Sequence, residues 1–397
     1  MKKTEIINIV NNNKEKCINF LQKIIKIPSE NGNEYDVSKF IQKELKQLNL
    51  KVKTYEKEKD RPNIIAEWTN DPSKKTFMFN GHIDVFPANE EPGIFEPFSG
   101  KIKDNRIYGR GAADMKGGVA AAIMAIKLLK ENNFLLNGNI TLALDVDEEN
   151  GGKAGVEYLL EKNLLKADFG ICMEASQGNI IADSDGRISF KISYKGDSWF
   201  AGTRKDEKNA IAKMYKALSK IYEYDAYLKK ERYFGLQNGG AILSVTEIQA
   251  SEGAVNINPG VCTITLDRRY TKGETVESAT KELKHILDDL YKNDPTMEYE
   301  LEVPDASKQI IVDHNCLLVK TIQNVYNNYY GTIPPFLRRC GGGGGDACKI
   351  IDQYHYPLPQ FGPGEFNQLS ISDESLDINE FLDYIKMYML IVLELLA

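Results

Sequence analysis

The sequence predicts an α/β protein in which a mixed sheet flanked by helices is interrupted by a smaller α+β domain. Short apolar strands alternate with helices through the first half of the 397-residue chain, which is typical of a sheet covered by helices on both faces. Near Gly186 the sequence pattern changes, because residues Arg187 to Tyr194 alternate between polar and apolar, as in a half-exposed antiparallel strand. The first pattern resumes after about Asp305. We therefore predict a domain formed by residues 1–185 and 305–397, with an inserted domain at residues 186–304.

Each element follows from local periodicity. In the first segment we predict helices at residues 14–27, 35–48, 117–131 and 155–162, and strands at residues 63–66, 76–80, 140–145 and 169–173. The inserted domain then follows the order strand, helix, strand, strand, helix, strand, which is that of a ferredoxin-like module with one open sheet face. The apolar tail from Phe381 carries three charged residues and is predicted to be a closing amphipathic helix rather than a membrane span.

Composition excludes several classes of function. The net charge is −7 and no stripe of Lys and Arg interleaves with aromatic residues, so a nucleic-acid partner is not expected. The N-terminus lacks the apolar core of a signal peptide. Six scattered cysteines are typical of reduced thiols in a cytoplasmic protein. We therefore expect a cytoplasmic protein with neither a nucleic-acid nor a membrane partner.

The strongest functional feature is His82-Ile83-Asp84, which follows the apolar run Thr76 to Gly81. Side chains two positions apart in a strand point the same way. His82 is therefore positioned to offer a ring nitrogen to a metal while Asp84 fixes the ring from behind.

Three acidic stretches lie downstream. Asp114 stands in a glycine-rich loop before an Ala-rich helix, where helix N-capping is the competing explanation. Asp147-Glu148-Glu149 follows the strand at residues 140–145, and Glu174 closes another strand. Solvated surface acids are the alternative for both, but crowded carboxylates repel one another unless a cation is present. Imidazole with carboxylates suits zinc best, in one or two sites, with cobalt or manganese as alternatives.

The chain resembles the two-metal aminoacylase and carboxypeptidase family, which includes acetylornithine deacetylase, succinyl-diaminopimelate desuccinylase and glutamate carboxypeptidase. Besides the acidic stretches, the resemblance is carried by further motifs, which are Phe95-Glu96-Pro97-Phe98, Ile107-Tyr108-Gly109-Arg110-Gly111, Asn256-Ile257-Asn258-Pro259, Asp267-Arg268-Arg269 and Phe361-Gly362-Pro363-Gly364. It implies a zinc-exopeptidase-like catalytic domain and an inserted lid domain that forms a homodimer interface.

The resemblance also implies roles for individual residues. His82, Asp114 and Glu174 would hold one metal, and Asp114 would bridge to a second metal held by Glu149. Glu148 would be the general base and Asp84 would orient His82. A cis peptide is implied between Asp114 and Met115.

Further residues would bind a small substrate with a free carboxylate. Asn256 and Arg269 match substrate-gripping positions of the lid, and Arg269 suits a carboxylate. The loop Gly341 to Asp346, with Gly344 and Gly345 at its centre, resembles a loop whose backbone amides bind that carboxylate. A phosphate-binding loop is the rival interpretation, but no Lys-Ser or Lys-Thr follows these glycines.

Two positions depart from the family pattern. Ser370 stands where relatives carry a second-site histidine, and Phe200 stands where they carry a lid histidine that stabilises the oxyanion. His355 is a candidate substitute. Three hypotheses follow: a hydrolase of N-acyl amino acids or small peptides with an altered second metal site, an impaired relative that binds a metal or small ligand as a scaffold or sensor, and a structural dimerisation protein with a vestigial cleft.

Overall fold

The computed structural model describes residues 2–88, 93–203, 208–233, 240–250, 254–339, 345–369 and 371–396. Contacts divide the chain into two units. Unit 1 comprises Met1–Ala182, Val312–Leu337 and Gly345–Ala397, and unit 2 comprises Asp183–Ile311 and Arg338–Gly344. Two residues singled out above, Gly344 and Ser370, lie outside the described residues.

The described helices are α1 (Lys2–Asn12), α2 (Lys14–Ile25), α3 (Tyr35–Gln47), α4 (Lys116–Glu131), α5 (Val156–Glu161), α6 (Ala210–Glu231), α7 (Val276–Asn293), α8 (Leu317–Tyr330), α9 (Gly345–Tyr354) and α10 (Ile378–Leu395). The described strands are β1 (Lys51–Tyr55), β2 (Asn63–Trp68), β3 (Thr76–His82), β4 (Lys101–Lys103), β5 (Arg106–Tyr108), β6 (Asn139–Asp145), β7 (Phe169–Ala175), β8 (Ile180–Ser184), β9 (Gly186–Lys195), β10 (Trp199–Phe200), β11 (Ile242–Gln249), β12 (Ile257–Asn258), β13 (Val261–Tyr270), β14 (Tyr299–Ser307), β15 (Phe336–Arg339), β16 (Gln360–Gly362) and β17 (Ser375–Asp377).

A mixed eight-stranded sheet runs through unit 1 in the order β1-β2-β6-β3-β7-β16-β8-β15. At its centre β3 is parallel to both β6 and β7, whereas β2 is antiparallel to β1 and to β6. All residues of β6 and β7 are buried, as expected for central strands covered on both faces. The predicted mixed α/β sheet is confirmed.

The parallel strands bring their carboxyl ends to one edge of this sheet. His82, the last residue of β3, stands opposite Asp145, the last residue of β6. On the other side of β3, Asn80 stands opposite Cys172, two residues before Glu174. Because side chains with the same parity share a face, this register carries His82 and Glu174 to the same place.

The predicted closing helix is present and is largely buried. Helix α10 begins at Ile378 and packs against α4, α8 and α1. Its inward-facing Lys386 is tolerated because Nζ donates to Asp383 at 3.0 Å and to the Tyr329 hydroxyl at 3.0 Å. Exposed Asn379 and Glu394 belong to one narrow polar stripe, so the helix is amphipathic as predicted.

Unit 2 contains a four-stranded antiparallel sheet in the order β11-β13-β9-β14. With α6 after β9 and α7 after β13, this is the ferredoxin-like order predicted for the inserted domain. Alternate residues of β9 and β13 form one core with apolar residues of the two helices. The strands contribute Ile188, Phe190, Ile192, Ile264 and Leu266, and the helices contribute Met214, Ile221, Leu283 and Leu287. Gly186 is required at the start of β9, since a Cβ there would lie 2.1 Å from the Tyr270 ring.

None of the helices in the described part of the chain combines the length and apolar character that crossing a membrane requires.

The first turn of α10 predicts a pH-dependent stability. Burial, reinforced by Glu365 and Asp377, raises the pKa of Glu380 to about 7, although the Gly364 N–H donates to its Oε1 at 3.2 Å. Because the folded-state pKa lies above the ordinary value of 4.5, this group favours folding below pH 4.5, and the contribution is lost as pH rises through 7.

We expect Glu380→Gln to keep the Gly364 hydrogen bond and remove this loss. The free energy of unfolding of the variant minus that of the parent should be about 2 kcal/mol larger at pH 8 than at pH 5, measured by urea denaturation. The exposed Glu161→Gln serves as control. A difference between variant and parent that does not change with pH would contradict the assignment.

Candidate functional site

His82 is the centre of a buried acidic cluster in unit 1. The side chain is 1% exposed, and its Nε2 lies 3.2 Å from Asp114 Oδ1 and 3.5 Å from Glu174 Oε1. Burial opposes protonation of the ring, but its contacts with Asp114, Asp84 and Glu174 outweigh burial and raise the pKa of His82 well above its usual value. The structure thus joins three of the four predicted ligands around one imidazole nitrogen.

Asp84 supports the cluster from behind in two ways. His82 Nδ1 lies 2.9 Å from the Asp84 backbone carbonyl and 3.6 Å from its carboxylate. The carboxylate accepts hydrogen bonds from the backbone N–H groups of Glu148 and Glu149 at 3.2 and 3.1 Å. One residue therefore fixes the imidazole through its carbonyl and the acidic turn through its side chain.

Asp114 reaches the cluster from outside the large sheet. It follows β5, which belongs to a separate three-stranded sheet in the order β17-β5-β4, and it stands in the glycine-rich loop before α4. The N-cap of α4 is Met115, without a side-chain capping bond, so N-capping does not explain Asp114. The peptide between Asp114 and Met115 is cis, as the resemblance implied.

Glu148 and Glu149 lie in a short 3-10 helix, Glu148–Asn150, directly after β6. Asp147 precedes it with φ +69 and anchors the turn, since its carboxylate accepts from Arg61 Nη2 at 3.0 Å, Asn31 Nδ2 at 3.3 Å and the Ala154 N–H at 3.0 Å. Arg61 is itself paired with the buried Glu34 at 2.6 Å. These contacts therefore hold the start of the turn in place.

Burial, reinforced by neighbouring carboxylates, dominates the electrostatics of this cluster. Burial, together with Asp346, Glu174 and Asp114 and against the opposing effect of His82, raises the pKa of Glu148 to about 8. Burial, followed by the charge of Asp114, raises the pKa of Glu149 to about 10. These groups stand ready to ionise when positive charge is brought among them.

The donor set fits a divalent cation. Ligand atoms of His82, Asp114 and Glu149 all lie within 4.8 Å of one another. Glu149 Oε1 is buried and has no hydrogen-bond partner among the described residues. A buried carboxylate oxygen without a partner is costly, and a coordinated cation would satisfy it. One imidazole with carboxylates is a zinc-type donor set, which manganese and cobalt also accept.

The last residues of the glycine-rich loop, Gly345 and Asp346, lie beside this cluster. Gly345 starts α9 with φ +54, and a Cβ there would lie 2.9 Å from Glu148 Oε1. The backbone thus approaches the carboxylate of Glu148 as only glycine permits. The next residue, Asp346, is buried and raises the pKa of Glu148.

Three predicted residues belong to unit 2. Asn256 is exposed, and its carbonyl accepts from the Ala201 N–H at 2.8 Å. Arg269 is on β13, and its Nε donates to Asp267 at 2.6 Å. Phe200 is 55% exposed on β10. In unit 1, His355 is exposed just after α9 and does not belong to the group of ligand atoms around His82.

Several residues that support the site were assigned no such role from the sequence. Arg61 and Asn31 touch it only through tertiary contacts, and no short motif announces them. Asp346 and Glu374 had a signal, because Asp346 ends the glycine-rich loop and Glu374 ends the acidic pair Asp373-Glu374 that follows the Gly-Pro-Gly turn. Asp147 also had one, since it opens the acidic triplet.

Known proteins resemble this chain in sequence and in fold. Residues 78–394 match the family model described as peptidase family M20/M25/M40. A succinyl-diaminopimelate desuccinylase of Pelagibacter ubique is 31% identical over 291 residues, which cover 70% of this chain and 74% of that protein.

Solved structures share the fold. Human carnosine dipeptidase 1 aligns with a TM-score of 0.76 at 17% identity, covering 99% of this chain and 98% of that one. The Bacillus subtilis YXEP protein, described as a dinuclear metal binding peptidase of the M20 family, aligns with a TM-score of 0.72 at 15% identity, covering 97% and 99%. The chain therefore belongs to peptidase family M20/M25/M40 and is a metal-dependent amidohydrolase of the metallopeptidase class.

Proposed function

We propose that this protein hydrolyses the amide bond of an N-acyl amino acid or small peptide that carries a free carboxylate, with zinc as the cofactor and cobalt or manganese as alternatives. The observation that carries the proposal is the convergence of Asp114 and Glu174 on His82 Nε2, with Glu148 and Glu149 in the adjoining turn. By its name, the desuccinylase reported above acts on an N-acyl amino acid. By its name, the dipeptidase acts on a peptide.

Each residue has a distinct role in the proposal. His82, Asp114 and Glu174 would hold one cation, and Asp114 together with Glu149 would hold a second. When bound, the cations supply Lewis acidity toward water and toward the carbonyl oxygen of the scissile amide. The Glu148 carboxylate accepts a proton from the attacking water and returns it to the leaving nitrogen.

Glu148 has the properties that this role needs. Its backbone N–H is fixed by Asp84 at 3.2 Å, so the carboxylate stays beside the ligand set. In the metal-free protein burial raises its pKa to about 8, so Glu148 holds a proton more tightly than an exposed carboxylate does. Gly345 keeps the space beside Oε1 free of a side chain.

Asn256, Arg269, Gly344 and Gly345 are the proposed substrate-binding residues. The Arg269 guanidinium donates to Asp267. In the proposal this planar group also donates to the substrate carboxylate. Trp199 and Phe200, where Phe200 stands in place of a histidine, would pack against an apolar part of the substrate. A homodimer through unit 2 is part of the proposal. So is a cytoplasmic location, which the free Cys17, Cys172, Cys262, Cys316 and Cys348 support.

A second candidate function rests on Ser370 and Phe200. A serine hydroxyl is a weaker zinc ligand than imidazole, and phenylalanine donates no hydrogen bond to an oxyanion. On this hypothesis the protein binds a cation or a small ligand as a scaffold or sensor, without efficient turnover.

One experiment separates the two functions. The purified protein is loaded with Zn²⁺, Co²⁺ or Mn²⁺, its metal content is measured, and hydrolysis of N-succinyl and N-acetyl amino acids and dipeptides is screened. We expect one or two cations per chain and turnover of at least one substrate class. Bound metal without turnover of any of them would support the scaffold, and a protein that binds no cation would exclude the hydrolase and the cation-binding scaffold.

A further inference from the structure

One carboxylate outside the proposed ligand set holds the loop that carries Asp114. Glu374 is 1% exposed and directly precedes β17. β17 pairs with β5 so that Ser375 stands opposite Tyr108, and the Gly109 N–H donates to the Glu374 carbonyl at 2.9 Å. The strand pairing thus delivers the Glu374 side chain to the loop that follows β5.

Both oxygens of this carboxylate are doubly hydrogen bonded. Oε2 accepts from Arg110 Nη1 at 2.9 Å and from the Gly111 N–H at 3.0 Å. Oε1 accepts from the Ala113 N–H at 2.9 Å and from the Asp114 N–H at 3.0 Å. Backbone N–H groups that converge on one point form an anion-binding nest, and here the anion is part of the chain.

The shape of this loop requires a glycine at position 111. Gly111 has φ +84, which turns its N–H toward Glu374, and a Cβ there would lie 2.6 Å from Val85 Cγ1. Without Glu374, three buried N–H groups would lose their acceptor, and the Arg110 guanidinium, which also donates to the Ile371 carbonyl, would lose its carboxylate partner. The position of Asp114 therefore depends on a residue 260 positions away.

We propose that Glu374 is a positioning residue that fixes the Asp114 carboxylate for cation binding. The inference rests on the proposed function, because it assumes that Asp114 is a ligand. Asp114 is the ligand shared between the two proposed cations, so a small displacement of its backbone affects both. Partners that orient ligands commonly change metal affinity by about 10- to 100-fold.

Glu374→Gln tests this inference with nearly unchanged shape. One oxygen becomes an NH₂ group, which faces two N–H donors and can accept from neither, and the negative charge is lost. Glu365→Gln is the matched control, because Glu365 lies in the same connecting segment and pairs with Arg106 at 3.3 Å, outside the nest. Zn²⁺ alone is titrated calorimetrically into metal-free parent and variants, and the visible absorption of the Co²⁺-loaded proteins reports ligand geometry.

We expect Glu374→Gln to bind Zn²⁺ about 10- to 100-fold more weakly than the parent and to change the Co²⁺ spectrum, with Glu365→Gln like the parent. A purely structural role would lower the melting temperature of the metal-free protein and leave both readouts unchanged in the folded variant. That result would overturn the inference. Failure of the parent itself to bind Zn²⁺ would instead overturn the proposed function.

A second variant keeps the test decisive if Glu374→Gln does not fold. Arg110→Lys retains a positive charge and the three backbone donors while removing the guanidinium. Its Zn²⁺ affinity is expected to fall by about tenfold, the lower end of the same range. Binding as tight as that of the parent, with an unchanged Co²⁺ spectrum, would count against the proposal.

Discussion

Glu148→Gln is expected to lower kcat by about 10²- to 10⁴-fold while the protein keeps its metal. The change preserves the size of the side chain and the backbone N–H that donates to Asp84. It removes the carboxylate that would accept the proton of the attacking water. Because Glu148 is not a proposed ligand, KM should change little, and metal content measured beside steady-state kinetics should equal that of the parent.

The control for this variant is Glu161→Gln, an exposed carboxylate 13 positions further along the chain. It should retain parent activity and metal content. A Glu148→Gln protein with a kcat within tenfold of the parent would remove Glu148 from the role of general base. A variant that loses its metal would make Glu148 a ligand instead.

The fold was predictable because its signals are local. Buried parallel strands appear as continuous apolar runs, such as Phe77 to Phe79 in β3, and the alternation in β9 announces an open-faced sheet. Helix α10 was predicted as amphipathic, but the extent of its burial was not, because its charged Lys386 is satisfied internally by Asp383. A sequence pattern does not distinguish a buried ion pair from a solvated charge.

In the candidate site, too, only the residues with a local signal were predictable from the sequence. His82 and Glu174 follow from strand parity and from the rule that ligands gather at the carboxyl ends of parallel strands. Asp114 comes from a different sheet, and the resemblance rather than periodicity placed it beside His82. Arg61 and Glu374 contact the acidic turns across 86 and 260 positions, and only the folded chain shows such pairings.

Asp114→Asn should have different effects on the protein with and without metal. In the metal-free protein the Asp114 charge raises the pKa values of Glu148 and Glu149, but the same carboxylate pairs with His82 Nε2 at 3.2 Å. A neutral amide of the same shape removes both effects, so the free energy of unfolding of the metal-free protein should change little. In the presence of Zn²⁺ the variant should lose the stabilisation that the parent gains, about 2.7 kcal/mol at a free metal concentration 100 times Kd.

The measurement is urea denaturation of parent and variant with chelator and with Zn²⁺, together with metal content and hydrolysis. Asp104→Asn is the matched control, since Asp104 is exposed in the β4–β5 turn with φ +49, a conformation that asparagine also adopts. Turnover should disappear only in Asp114→Asn. If Asp114→Asn were stabilised by Zn²⁺ as much as the parent, Asp114 would not be a ligand, and the shared position between the two cations would have to belong to another residue.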